Sequence, residues 1–332
     1  MRIAVSGSIA TDHLMAFPGR ITEQLVPDRL DKVSLSFLVD TLEVRRGGAA
    51  ANIAFGLGLF GLDPKLVGAV GSDFADYEVR LKEHGVDTGG VRVSAGRQTA
   101  RFVCLTDQDA NQIASFYAGA MVEARHIDLR AIAPGGRGLD LVVLAPDDPE
   151  AMRLHTEQCR ELGLPFAADP SQQLARLTRS VTRDLVAGAR WLFTNEYESA
   201  LLLDRTGWRV RDVLDRVGTW ITTLGGDGVR IESATAGTTT VPAVPGVRSV
   251  DPTGVGDAFR AGFLAATGWG HAPDIAARLG CALAAAALGG VGSQDYEFCP
   301  VRLLAALASA YGERAAGALA PDLRRVARPP AR

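Results

Sequence analysis

Asp257 follows two glycines, Gly254 and Gly256, in the run Asp251-Pro-Thr-Gly-Val-Gly-Asp257, and Phe259, Phe263 and Ala266 then recur at i, i+4, i+7. The pattern predicts a helix that begins at the glycines. Pro252 breaks what precedes it, glycine lets the backbone approach a ligand closely, and the apolar spacing gives the helix one buried face. A helix N-terminus carries N–H groups without intrahelical partners and the positive end of the dipole, which suits a phosphate. A carboxylate in that first turn has two uses. It can cap the helix, or it can take the proton of a hydroxyl attacking a phosphoryl group held by the glycines. Spacing alone leaves both open.

Three further stretches carry polar chemistry. Gly47-Gly48 leads into Ala49-Ala-Ala-Asn52, where Asn52 offers a donor and an acceptor near a helix start. Asn195-x-x-Glu198 fits an N-cap with its capping-box acid, and equally a polar pair around a magnesium–phosphate group. Thr222-Thr-Leu-Gly225-Gly-Asp-Gly228 is a glycine turn after a strand, or a backbone cradle for a nucleotide. Gly56-x-Gly58-x-x-Gly61 matches a dinucleotide fingerprint, the sole support for an NAD-dependent oxidoreductase. That fingerprint needs its glycines straight after a strand, whereas these lie in a helix already under way, so close helix packing accounts for them. His155 and Cys159 stand at i, i+4 without a third ligand, which makes a weak metal site.

These residues need a scaffold. Short apolar runs at 3–6, 66–70, 139–145, 165–168, 191–194 and 220–224 read as buried strands, with 229–232 as a hairpin partner of the last. Helical patterns near 49–60, 74–84, 149–162, 178–188 and 196–204 separate them, so a mostly parallel sheet flanked by helices is expected. Residues 10–46 and 95–118 break the alternation with β-rich runs at 32–38, 99–105 and 112–116. Alternating patterns suit a sheet with one free face, here a small lid over the edge where α/β proteins bind ligands. The large domain is thus expected over 1–9, 47–94 and 119–320, the inserted lid over 10–46 and 95–118, and a disordered Arg/Pro tail over 321–332.

Of the 332 residues, 47% are hydrophobic and 22% charged, as in a soluble globular protein with ample core. A formal charge of −3 gives no reason to expect nucleic acid. No apolar run reaches the roughly 20 residues needed to span a bilayer. The dispersed cysteines, Cys104, Cys159, Cys281 and Cys299, fit a reduced cytoplasmic protein.

Taken in order, Gly47-Gly48-Ala-Ala-Ala-Asn52, Asn195-x-x-Glu198, Thr223-x-Gly225 and Asp251-Pro-Thr-Gly-Val-Gly-Asp257 resemble the motifs of the ribokinase-like (PfkB) family of carbohydrate and nucleoside kinases. Pro252-Thr253 and Val255 depart from the family's usual residues but spare the glycines and the aspartate. The runs 7–15, 32–40 and 168–176 resemble most the adenosine kinases of mycobacteria and related actinobacteria. The resemblance implies a three-layer α/β fold with a β-sheet lid, and adenosine and ATP as substrates. Asp257 would be the general base, with the N–H groups of Gly254, Val255 and Gly256 as anion hole. Asp12, Gly48 and Asn52 would hold the ribose, with Ser8 nearby, while Ser36, Phe102, Phe116, Gln172 and Gln173 would surround the base. Asn195, Thr223, Gly225 and Gly228 would bind ATP, Asn195 and Glu198 would meet magnesium through water, and Asp251 with Ser293 would hold potassium. It also implies a homodimer joined through the lid sheet. A sugar kinase differing only in its lid contacts, or a non-catalytic relative, are the alternatives.

Overall fold

A computed structural model describes residues 1–25, 32, 34–133, 135 and 137–326. The apolar runs become the strands β1 (Ile3–Ser6), β2 (Ala10–Ala16), β3 (Thr41–Gly47), β4 (Lys65–Val70), β5 (Asp87–Val93), β6 (Ala100–Thr106) and β7 (Gln112–Tyr117). After these come β8 (Leu141–Leu144), β9 (Phe166–Ala168), β10 (Trp191–Asn195), β11 (Thr219–Thr223), β12 (Val229–Ser233) and β13 (Gly237–Val241). The helices in chain order are α1 (Ala49–Leu59), α2 (Ala75–Glu83), α3 (Leu129–Ile132), α4 (Pro149–Glu161), α5 (Arg179–Val186) and α6 (Glu196–Thr206). The chain closes with α7 (Val210–Leu214), α8 (Val255–Gly268), α9 (Pro273–Leu288), α10 (Pro300–Tyr311) and α11 (Glu313–Val326).

Nine strands form the main sheet in the order β13-β12-β11-β10-β9-β8-β1-β4-β5, parallel from β11 to β5, with β12 and β13 antiparallel at one edge. Its central strands are apolar on both faces because both faces are covered. Ile3 and Val5 of β1 pack with α1, α8 and α9, whereas Ala4 packs with α4, α5 and α6. Leu141 and Val143 of β8 join the first core, and Val142 and Leu144 the second. This period-2 division explains why the strands read as unbroken hydrophobic runs.

A separate four-stranded sheet runs β3-β2-β6-β7. Its register sets Asp12 of β2 beside both Arg45 of β3 and Phe102 of β6, and Phe102 opposite Phe116 of β7. Registered neighbours share a face, so all four side chains leave the same side of the sheet.

Three expectations change. Of the run 32–38, Ser34–Leu38 forms no strand and Val33 lies outside the described residues; β3 begins at Thr41 instead. β5 and β13 join the main sheet without a strong apolar signal; β5 contains Gly89-Gly90 and is held by pairing with β4. The expected tail is helical as far as Val326, because Leu319 and Leu323, at i, i+4, are buried in the core; 327–332 lie outside the described residues. No described helix is long and apolar enough to cross a membrane.

Candidate active site

A cleft of about 1060 Å³ lies where the C-terminal ends of the parallel strands face the second sheet. Ser8 follows β1, Pro146 follows β8, Gln172 and Gln173 follow β9, Asn195 ends β10, and Thr223 and Gly225 close β11; all line the cleft. This is the edge at which open α/β sheets bind ligands, because the strand-to-helix turns present backbone and helix N-termini there. The second sheet contributes Asp12, Phe102 and Phe116. A volume at the upper end of small-molecule sites suits two ligands rather than one.

The floor is the start of α8. Gly254 caps it with φ 74°, a left-handed conformation natural to glycine, and a Cβ there would fall 2.4 Å from the Ser293 Cβ. Gly254, Gly256 and Asp257 line the cleft, while the Val255 side chain turns into the core. Asp257 accepts a 2.9 Å hydrogen bond from the Asn52 side chain. Burial pushes its carboxyl above the ordinary value, against the pull of Arg260 and the Asn52 bond; the charge of Glu198 adds to the rise.

Gly48 starts α1 at φ 96°, packed so tightly that a Cβ would lie 2.6 Å from the Ser8 carbonyl oxygen. The Ser8 hydroxyl accepts from the Ala49 N–H at 3.1 Å. The Asp12 carboxylate rests on Gly47, where a Cβ would meet it at 2.7 Å. Burial raises Asp12 to about 6, opposed by Arg45 and reinforced by Asp251 and Asp257. Asn52 is locked: its side-chain oxygen accepts from Ser293 Oγ at 3.0 Å and Gln294 Nε2 at 2.8 Å, and Gln294 also donates to the Tyr77 hydroxyl.

On the opposite side, Asn195 and Glu198 form a complete capping box, with Asn195 Oδ1 accepting from the Glu198 N–H at 2.7 Å and Glu198 Oε2 from the Asn195 N–H at 2.8 Å. Ser171 Oγ donates to the other Glu198 oxygen at 2.9 Å. The cap and the cleft are compatible, since both residues still line it. Among the described residues no three His, Cys, Asp or Glu side chains gather into a metal cage. Glu198, a buried carboxylate lining the cleft, is the acid that would face the waters of a magnesium ion held mainly by phosphate oxygens.

The residues expected to hold potassium are arranged otherwise. Asp251 Oδ1 accepts from the Thr253 N–H and Oδ2 from the Gly292 N–H, each at 2.9 Å, and Arg45 Nη1 donates to Oδ2 at 2.9 Å. Burial opposes ionisation, but these backbone donors and the guanidinium hold the Asp251 carboxyl below its usual range. Ser293 points away, donating to the Arg46 carbonyl and to Asn52. A carboxylate already paired with a fixed cation does not fit a second one.

Two other expected residues stay outside the cleft. Ser36 is exposed in the segment without a ladder. Gly228, at φ 96°, serves the turn between β11 and β12, where a Cβ would fall 2.1 Å from the Val241 carbonyl. The glycines of the 56–61 run pack helices: a Cβ on Gly56 would meet Ala261 at 2.5 Å, and one on Gly58 the His84 carbonyl at 2.1 Å. His155 uses both ring nitrogens, on Ser6 Oγ and the Ile127 carbonyl, and Cys159 is core, so they form no metal site.

Sequence reasoning passed over a buried ion pair. Arg260 Nη2 donates to Asp169 Oδ1 at 2.6 Å, and the guanidinium lies 5.7 Å from the Phe193 ring centroid. Burial raises Asp169 against the attraction of Arg260, whose charge the surrounding carboxylates support. Arg260 at i+3 from Asp257 was a visible signal; Asp169, 91 residues away from Arg260, was not.

Residues 9–297 match the model of the pfkB family carbohydrate kinases. A nucleoside kinase of Methanocaldococcus jannaschii is 30% identical over 240 residues, which covers 72% of this chain and 77% of that protein. An ATP-dependent ribose-1-phosphate kinase of Halopiger xanaduensis is 32% identical over 244 residues, 72% of this chain and 78% of that protein. The Burkholderia thailandensis nucleoside kinase, solved in complex with inosine, superposes with a TM-score of 0.82 at 34% identity, covering 93% of this chain and 98% of the other. With its motifs gathered at one cleft on the ribokinase-like architecture, the chain belongs to the pfkB family of carbohydrate kinases.

Proposed function

We propose that the protein is a nucleoside kinase that transfers the γ-phosphoryl group of ATP to the 5′-hydroxyl of adenosine, giving AMP and ADP. The observation that carries this reading is the opposed pair Phe102–Phe116 in the same cleft as Asp257. Two rings on one sheet face offer a flat base a stacking surface that a free sugar would not use. Gln172 and Gln173 border the cleft with amide groups able to read a base edge, although Gln173 Nε2 already donates to the Asp147 carbonyl. Asp12 is registered beside Phe102, Asn52 donates to Asp257, and Gly48 lines the same cleft, so these three are the residues read as holding the ribose.

In this reading the acceptor hydroxyl gives its proton to Asp257 as its oxygen bonds to the γ-phosphorus, and the bond to the β–γ bridging oxygen breaks, leaving ADP. The N–H groups at the start of α8 stabilise the charge on the transferring group. Magnesium, bound with ATP, would neutralise the β- and γ-phosphates, its waters meeting Glu198 and Asn195. Closure of the second sheet as a lid would exclude water. Residues 10–46 and 95–118 are read as that lid, inserted into the larger domain. We also infer that two copies pair through its outer face, where the register aligns Leu42, Met15, Leu105 and Ile113 in an apolar row. Leu42 and Ile113 are 60% and 48% exposed.

The second reading is a kinase for a sugar or sugar phosphate, favoured by the ribose-1-phosphate kinase among the relatives. Measuring ADP release with adenosine, inosine, ribose, fructose and ribose 1-phosphate separates the two. Adenosine should give the largest kcat/KM. Faster turnover of inosine would keep the nucleoside and correct the base; fast turnover of a sugar or ribose 1-phosphate with none of adenosine would end the nucleoside reading. Light scattering of the protein and of Leu42→Lys tests the pairing, which predicts a dimer and a monomer respectively.

A further inference from the structure

The carboxylate of Asp251 is the staple of the anion-binding turn. Its two oxygens hold the N–H of Thr253, one residue before Gly254, and the N–H of Gly292 on the neighbouring loop. Fixing two backbone donors this way places a negative charge directly behind glycines that must receive a phosphoryl group. An unneutralised carboxylate there would oppose the helix dipole and the anion hole. The chain meets that charge from an unexpected direction. Arg45, on β3 of the second sheet, reaches Asp251 at 2.9 Å, with the two side chains only 20% and 16% exposed. Its other nitrogen pairs with Glu43 at the exposed rim, and Asp12 faces it across the strand register. The Arg45 stem also passes Gly292, where a Cβ would come within 3.3 Å of it, so the guanidinium is held by packing as well as by charge.

We propose that Arg45 is the resident cation of the anion-binding turn, taking the place at Asp251 that the family resemblance would give to potassium, so that phosphoryl transfer by this protein needs no monovalent cation. A guanidinium and a potassium ion on the same carboxylate would repel each other at short range in a partly desolvated setting. The guanidinium is always charged and donates directionally, whereas potassium must be stripped of water and caged by several oxygens. Arg45 is a positioning residue: it does not line the cleft, and it acts by offsetting the Asp251 charge and holding the 251–254 turn in place. Because it comes from the second sheet, it also couples that sheet to the phosphate site.

The inference rests on the kinase reading for its rate measurement, and on the Asp251 pair alone for its stability measurement. The wild-type chain, Arg45→Met and Arg45→Lys are compared in potassium, sodium and choline chloride at one ionic strength, with ADP release and melting temperature followed. The wild type should turn over equally in all three salts and show no potassium-specific rise in melting temperature. Arg45→Met should lose roughly tenfold or more in kcat in choline, with smaller change in KM. Potassium or free guanidinium should restore part of it and raise its melting temperature above that in choline; Arg45→Lys should fall between. Wild-type activation several-fold by potassium, a potassium-specific stabilisation of the wild type, or Arg45→Met with full activity in choline would each overturn the proposal. If no acceptor is phosphorylated, the kinase reading fails, and the melting temperatures of the wild type and of whichever variant folds still decide the cation question.

Discussion

The side chain of Asn52 donates to the carboxylate of Asp257 at 2.9 Å, so a residue of α1 aims a residue of α8. The amide has no freedom to flip, because Ser293 and Gln294 both donate to its oxygen. The same amide that would hold a ribose hydroxyl thus orients and tunes the carboxylate that would take the proton. One bond acts on both its position and its basicity.

Removing that bond should move the acid limb of the rate profile. A hydrogen bond to the charged form lowers a carboxyl pKa, and burial already holds Asp257 above its ordinary value. Asn52→Ala should therefore raise it further, and kcat/KM should begin to fall at a higher pH than in the wild type. An acid limb that stays in place or moves down would show that Asn52 does not tune Asp257.

Asp257→Asn should reduce kcat by roughly 10²–10⁴ while the KM for ATP changes little, as for loss of a general base. Its stability should move the other way. The folded-state pKa of Asp257 lies above the unfolded value, so any benefit of protonation is present at low pH and is lost as pH rises through the folded pKa. Above that folded pKa the wild type buries a charge that the neutral amide does not carry, so the variant should melt higher there. Thermal melts at pH 7.5 beside steady-state kinetics check both halves; near-normal turnover would remove Asp257 from the mechanism.

Phe116→Ala should raise the KM for adenosine by roughly tenfold, since stacking of a base on an aromatic ring is worth about 1–3 kcal/mol. Turnover at saturation should change much less, because the ring touches no reacting atom. Unchanged KM would place the base elsewhere in the cleft.

Arg260→Met should destabilise the protein by about 3–5 kcal/mol, because Asp169 is left buried without its partner. Replacing both residues, Arg260→Met with Asp169→Leu, should recover much of that loss in chemical denaturation. Activity should not return with it, since Arg260 also borders the cleft beside Asp257. A double variant no more stable than the single one would mean that the pair contributes more than mutual compensation.

Much of the framework was legible along the chain. Runs such as Ile3–Ser6 and Trp191–Asn195 announce buried parallel strands because both faces are covered, and the glycines before Asp257 announce a helix start suited to an anion. These are local properties: burial period, turn geometry and the dipole of one helix act within a few residues. Gly56 and Gly58 were likewise readable as packing glycines, since their place inside a helix is set by neighbours in sequence.

What the chain order hides is decided by pairing. The strand at Thr41–Gly47, rather than the more β-like run before it, completes the second sheet because it can pair with β2 in a register that delivers Arg45 and Asp12 to one face. Asp251, which the family resemblance would make a potassium ligand, meets in the fold an arginine 206 residues away in sequence. Asp169 and Arg260 find each other in the same manner. Sequence by itself determined most strands of the main sheet and the helix start at Gly254, because each is a short-range preference. Only the tertiary structure decided which charge faces which. Electrostatic energy depends on distance and burial in space, and neither is written in the separation along the chain.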